Sequence, residues 1–302
     1  MKPLTALLVF ISTFLFVAIV FVVPVSYALG IASMVVFMAG GHNVVTIAQY
    51  AWSSLDSFSF LAIPFYIYAG TLMEYSGISR MLIKWIGGII GRVRGNLGII
   101  TILASMAFGV LTGSAMATIS AIGKIVQPEM EKEDYPRGYV AALLAATCFL
   151  GILIPPSVPG IMYALSAGIK ISDVWMVTIG PALIFMAGYM AVNYIRIGRR
   201  LPKPEAVSIS GARRLAEFGR NTFRTVPALL MPVIIYGCIY GGICTPTEAG
   251  ALSAVYGIFY YFILWFVNRK AIKVDFLTIA AISGASTAVI GLIHAFSVIA
   301  GK

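Results

Sequence analysis

Charge is what this chain has least of. Only 11% of its 302 residues are Asp, Glu, Lys or Arg, against about 25% in a soluble domain. Such a deficit excludes a molecule whose surface is mostly wet. Histidine is rarer still. His42 and His294 are the whole complement and lie far apart, so no histidine-based metal or catalytic centre is expected. The three cysteines, Cys148, Cys238 and Cys244, sit in or beside apolar runs and match no zinc or disulfide spacing. Small buried residues is their expected role. A phosphate loop of the GxxxxGK[ST] type is missing, which removes an ATP-driven pump. Gly113-Ser114 lacks the rest of a nucleophile elbow. Without paired acids, metal ligands or a nucleophile with its base, the chain is not expected to be an enzyme. An intramembrane enzyme or assembly scaffold is the weakest of the rival readings.

What is abundant is apolar. Hydrophobic residues make up 60% of the chain, and several runs suffice for the about 20 residues of a membrane-crossing helix. They cover 4–23, 25–41, 58–75, 97–111, 112–126, 138–168, 174–195, 225–243, 247–267 and 277–299. A membrane barrel would alternate apolar and polar residues, and these runs do not. The expected fold class is an all-α polytopic membrane protein in contact with lipid. Lys2 and Ser26-Tyr27-Ala28 imitate a cleavable signal, but the run 4–23 exceeds the 7–15 residues of a signal core. It is expected to be a retained helix.

The net charge of +10 could suggest nucleic acid. The basic residues instead cluster in short links between apolar runs, as cytoplasmic loops do. The strongest cluster spans 196–224, with Arg196, Arg199, Arg200, Lys203, Arg213, Arg214, Arg220 and Arg224. A second holds Arg269, Lys270 and Lys273, and the link Gly242 to Thr247 between the two intervening crossings has no basic residue. Counting back, 127–137 and 74–96 (Arg80, Lys84, Arg92, Arg94) also lie inside. Residues 97–126 therefore start and end on one side, yet are too few for two crossings of about 20 residues each. A re-entrant helical hairpin resolves this, with its tip at Gly109–Ser114. Irregular backbone at that depth is tolerated where protein surrounds it. The crossing 138–168 contains Pro155, Pro156 and Pro159, flanked by Gly151 and Gly160. Prolines remove backbone donors, so a broken helix is expected there.

The segments 4–23, 25–41 and 58–75 match 225–243, 247–267 and 277–299 in order and run with opposite orientation. Inverted repeats of this kind belong to secondary transporters, whose sites form at broken helices. The second repeat stops short of a hairpin, so a truncated product is expected. The domain reading is 1–96 for scaffold helices and an interfacial helix, 97–195 for a first transport half, 196–224 for a cytoplasmic linker, and 225–302 for an incomplete second repeat. The interfacial helix is placed over Gly87 to Gly98.

Half-helix N-termini attract anions, and unwound carbonyls can hold a small cation. The hydroxyls of Thr112, Ser114 and Ser157 make a hard-oxygen set without charge, which suits Na+. Proton coupling would call for an acid or histidine within the membrane, and 97–126 and 138–168 contain neither. Asp56 and Glu74 stand at segment edges, Lys124 can snorkel, and Glu248 is read as a helix cap.

Several short strings carry a family likeness together. They are Phe60–Phe65, Ala69–Met73, Gly77-Ile78, Phe108-Gly109, Gly113–Ala117, Ala121–Gly123, Ile154–Ser157 with Tyr163, and Thr245–Ala249. Their order and spacing resemble the large membrane subunit of tripartite ATP-independent periplasmic (TRAP) transporters, the DctM-like permease. The resemblance implies an elevator-type, sodium-driven importer in a bacterial inner membrane. It implies two partners: a small membrane subunit, and a periplasmic binding protein that delivers an organic acid such as a C4-dicarboxylate or sialic acid. Carried over, it points to Thr112, Gly113, Ser114, Gly151, Pro155, Pro156 and Ser157 for sodium, with Ser114 and Ser157 also meeting substrate. On this resemblance the second hairpin of the family is expected to be missing from residues 1–302. The rival transporter reading is a stand-alone sodium-coupled carboxylate or ion carrier without a binding protein.

Overall fold

The computed structural model describes residues 3–91, 95–199, 211–267 and 275–300. The described residues are helical throughout, with no strand. The first helix, α1 (Pro3–Val20), buries only Val17. An apolar helix exposed on nearly all sides has lipid as its solvent. The same holds for Val177, Ile184, Phe259 and Leu277, all more than 60% exposed.

α2 (Val25–Ala39) follows, then α3 (Val44–Leu55), which none of the expected segments covers. Asn43 caps it, its Oδ1 accepting from Val45 N at 3.0 Å. The central helix is α4 (Ala62–Tyr75), with Ala62, Ile63, Tyr66, Ala69, Leu72 and Met73 buried. α5 (Ile78–Ile90) buries Ile78, Leu82 and Ile86 on one stripe and exposes Arg80 and Lys84. This is the amphipathic helix, so the placement over Gly87 to Gly98 is corrected. Gly91 ends α5, and 92–94 lie outside the described residues.

α6 (Asn96–Thr112) and α7 (Ala115–Lys132) pack on one another across a two-residue turn. α6 is buried along most of its length, so it is an interior helix. α8 (Arg137–Thr147), α9 (Leu150–Leu153) and α10 (Val158–Ala167) form the interrupted segment, bent by 50° at the break. α11 (Ile171–Asn193) runs on into one turn of π-helix, Tyr194–Gly198. There Asn193, fully buried, donates from Nδ2 to Gly95 O at 3.0 Å and accepts from the Tyr139 hydroxyl at 2.9 Å. One side chain thus ties the base of α6 to α8 and α11.

α12 (Gly211–Tyr240), α13 (Pro246–Val267) and α14 (Phe276–Ala300) complete the order. α12 begins inside the stretch 196–224 read as a linker; residues 200–210 of that stretch lie outside the described residues. α1, α11 with its π turn, α13 and α14 are long and apolar enough to cross a membrane, and the bent α8–α10 unit makes a fifth. This is a multi-pass membrane protein.

Candidate ion and carboxylate site

The turn between α6 and α7 is built from three residues with distinct tasks. Gly113 takes φ +60°, a left-handed backbone that favours glycine. Ser114 then returns to extended backbone and caps α7, its Oγ accepting from Ala117 N at 3.3 Å. The Thr112 hydroxyl donates to Phe108 O at 3.2 Å and accepts from Ser114 N at 3.4 Å. The Ser114 carbonyl accepts from the Thr118 hydroxyl at 2.8 Å.

The break between α9 and α10 repeats the device. Ser157 is extended and caps α10, its Oγ accepting from Gly160 N at 3.2 Å. Trp175 Nε1 donates to Ser157 O at 3.3 Å, and the Tyr236 hydroxyl donates to Pro155 O at 2.6 Å. The Pro156 carbonyl faces the other turn. A Cβ on Gly113 would lie 3.3 Å from it. The two interruptions also touch lower down. A Cβ on Gly109 would stand 2.1 Å from Gly151 Cα, and one on Gly151 would stand 2.2 Å from Gly109 Cα. Only paired glycines let these backbones meet.

Two capped half-helix N-termini thus open on one cavity of about 630 Å³. Thr112 to Ala117 form one wall, and Ile152, Val158, Pro159 and Met162 another. The rest comes from α4 (Ile67, Thr71, Glu74) and from α14, including Ser286. Of the expected site residues, Thr112, Gly113 and Ser114 line this space. Gly151, Pro155, Pro156 and Ser157 are not among its lining residues; Gly151 meets Gly109 and the Pro156 carbonyl faces Gly113. The walls from α4 and α14 were not foreseen. Neither was Glu74, read as a segment-edge residue, which is the one ionisable side chain among the described lining residues. The i, i+4, i+7 spacing of Ile67, Thr71 and Glu74 places them on one helix face and was the available signal.

The first amides of α7 suit an anion, joined from α10 by the Val158 N–H, since Pro159 has none and Gly160 N donates to Ser157 Oγ. The hydroxyl and carbonyl oxygens around the tip suit a small hard cation. A family model, that of the tripartite ATP-independent periplasmic transporter DctM component, matches residues 12–302. The chain belongs to the DctM family. Within it, the chain is 37% identical to the isethionate TRAP transporter permease protein DctMQ of Oleidesulfovibrio alaskensis, over 89% of this chain and 41% of that one. It is 35% identical to the C4-dicarboxylate TRAP transporter large permease protein DctM of Vibrio cholerae, over 78% and 52%. It is 31% identical to the sialic acid TRAP transporter permease protein SiaT of Haemophilus influenzae, over 83% and 40%. The chain spans about half the length of the curated relatives it matches.

Proposed function

We propose that this DctM-family chain forms part of the large permease of a sodium-driven TRAP importer of an organic acid. The observation that carries the proposal is the convergence of two serine-capped half-helix N-termini on one cavity. The N-termini of α7 and α10 bind the carboxylate or sulfonate of the substrate. Ser114 presents its hydroxyl to that group, beside the first amides of α7 at Ala115 and Met116, and Ser157 holds the second N-terminus in place. Thr112, Gly113 and Pro156 carbonyls, with the Thr112 hydroxyl, hold Na+ beside it. The cation offsets the charge of the anion and couples its movement to the sodium gradient. The α6–α7 unit is a re-entrant hairpin, and with the broken α8–α10 unit it belongs to the first half of an inverted repeat. The site moves with these elements across the membrane in elevator fashion. A small membrane subunit anchors the assembly in the bacterial inner membrane, and a periplasmic binding protein delivers the substrate.

The test is uptake into proteoliposomes containing the full-length permease and its small subunit. Radiolabelled succinate, N-acetylneuraminate and isethionate are offered with the cognate binding protein. Uptake of one of them under an inward Na+ gradient, and not under a K+ gradient, is the expected result. Sodium-independent uptake would overturn the coupling. Equal uptake without the binding protein would move the chain to the stand-alone carrier reading.

A further inference from the structure

Cys238 lies in the last turn of α12 and Cys244 in the link to α13. Their spacing in sequence gave no reason to join them, but the turn brings them together. Ile243 N and Cys244 N both donate to Cys238 O, at 2.9 and 3.0 Å, and Gly242 supplies the reversal with φ +69°. One N–H···O bond spanning the two residues keeps their Cα atoms within the about 4.4–6.8 Å that a disulfide needs. The two thiols are close enough to interact with each other. Both residues are half-buried, whereas Gly241, Gly242, Ile243 and Thr245 around them are exposed. A reagent arriving at the turn can therefore reach them. Cys148, the third thiol, is buried at the end of α8 and donates to Ala145 O at 3.1 Å.

We propose that Cys238 and Cys244 are a dithiol pair that closes as a disulfide across the α12–α13 turn. The link carries no basic residue, which puts it on the side opposite the cytoplasm, where disulfides persist. The co-reactant is a disulfide-bearing exchange partner on that side. The Cys244 thiolate attacks one sulfur of the partner's disulfide, and the partner's other sulfur leaves as a thiolate. The Cys238 thiolate then attacks the Cys244 sulfur and expels the partner's first sulfur. The protein loses two S–H protons and two electrons and gains one S–S bond, and the partner departs as a dithiol.

The bond pins a junction that matters to the cavity. The Tyr66 hydroxyl donates to Pro246 O at 2.8 Å, and the Thr247 hydroxyl donates to Phe58 O at 3.2 Å. The turn thus sets where α13 begins against α4, and α4 lines the cavity. Closing the disulfide fixes the end of α12 to that junction.

The test reads thiols directly and involves no transport, so it stands apart from the reading of the site. Native membranes holding the full-length protein are prepared in N-ethylmaleimide, denatured, digested with trypsin and examined by mass spectrometry. Residues 225–269 form one tryptic peptide that contains both cysteines. The expected peptide is free of maleimide and lighter than the dithiol form by two hydrogens. It takes two alkyl groups only after dithiothreitol. A peptide carrying two maleimides without reduction overturns the proposal. In Cys238→Ser, Cys244 is expected to be alkylated without reduction. A Cys244 that remains blocked there would mean a different partner and would also overturn it.

Discussion

Replacing Gly109 with alanine puts a methyl group where Gly151 already stands. The new Cβ would be 2.1 Å from Gly151 Cα and 3.1 Å from Gly151 N and C. Carbon atoms rest at about 3.5–4.0 Å, so α6 and α9 must separate by roughly 1.5 Å. No flexible side chain can yield, because the obstacle is backbone. Both helices are buried at this level. Overpacking of a filled core costs typically about 1–3 kcal/mol, and a backbone-on-backbone clash belongs at the upper end. Alanine's better helix propensity returns at most about 1 kcal/mol. The net loss is about 2 kcal/mol, or roughly 4–8 °C at 2–4 °C per kcal/mol. The assay is thermal unfolding of the purified protein in detergent, with Gly180→Ala and Gly188→Ala as controls. A Cβ at either control position in α11 meets nothing within 4 Å, so both variants should melt at or above the parent temperature. A Gly109→Ala protein that melts with the controls would refute the close approach of hairpin and broken helix.

Other substitutions test other parts of the account. Asn193→Ala strands the Tyr139 hydroxyl and the Gly95 carbonyl. Unsatisfied buried groups cost about 1–3 kcal/mol, so its melting temperature should fall, and an unchanged melt would remove Asn193 as the tie at the base of α6. Ser114→Ala and Ser157→Ala each lose an N-cap worth about 1 kcal/mol. Ser114→Ala should also raise the KM for substrate more than Ser157→Ala does, since only Ser114 lines the cavity. Equal KM values would contradict that difference. Glu74→Gln removes the carboxylate from the lining. Succinate, with two negative charges, should then bind at least about fivefold tighter, given that unit charges at close range interact by several kcal/mol at intermediate dielectric. Competition by unlabelled succinate measures this, and an unchanged affinity would show that the Glu74 charge does not reach the ligand.

Local signals announced the elements that carry the site. The three prolines at 155, 156 and 159 mark the break, and the balance of basic residues around 97–126 calls for a hairpin with its tip at Gly109–Ser114. The chain breaks between Leu153 and Val158, and it turns at Gly113-Ser114, the last two residues of that tip, while α6 stays helical to Thr112. α3 was hidden because Val44–Leu55 is short and mixes Gln49, Ser53 and Ser54 with its apolar residues. α5 shows helical spacing at Ile78, Leu82 and Ile86, but the cluster Gly87, Gly88, Gly91 and Gly95 at and beyond its end obscures where the helix lies. The start of α12 is rich in arginine and so resembled a connecting link. The cavity depends on contacts between segments remote in sequence, such as α4 with α14. No local pattern reports those, and the role of Glu74 was lost with them. The Cys238–Cys244 approach depends on a reversal at Gly242, which a search for spaced ligand motifs does not register.

Direct binding of sodium tests the central claim most closely. Retention of 22Na+ by the purified full-length permease can be followed by scintillation proximity, with unlabelled Na+ and K+ as competitors. The account predicts saturable binding that Na+ displaces and K+ does not. It also predicts that Thr112→Val, checked for an intact melt, weakens binding by about tenfold, the value of roughly 1.4 kcal/mol for one lost oxygen ligand. Full sodium binding in Thr112→Val, or equal displacement by K+, would place the ion elsewhere and contradict the account.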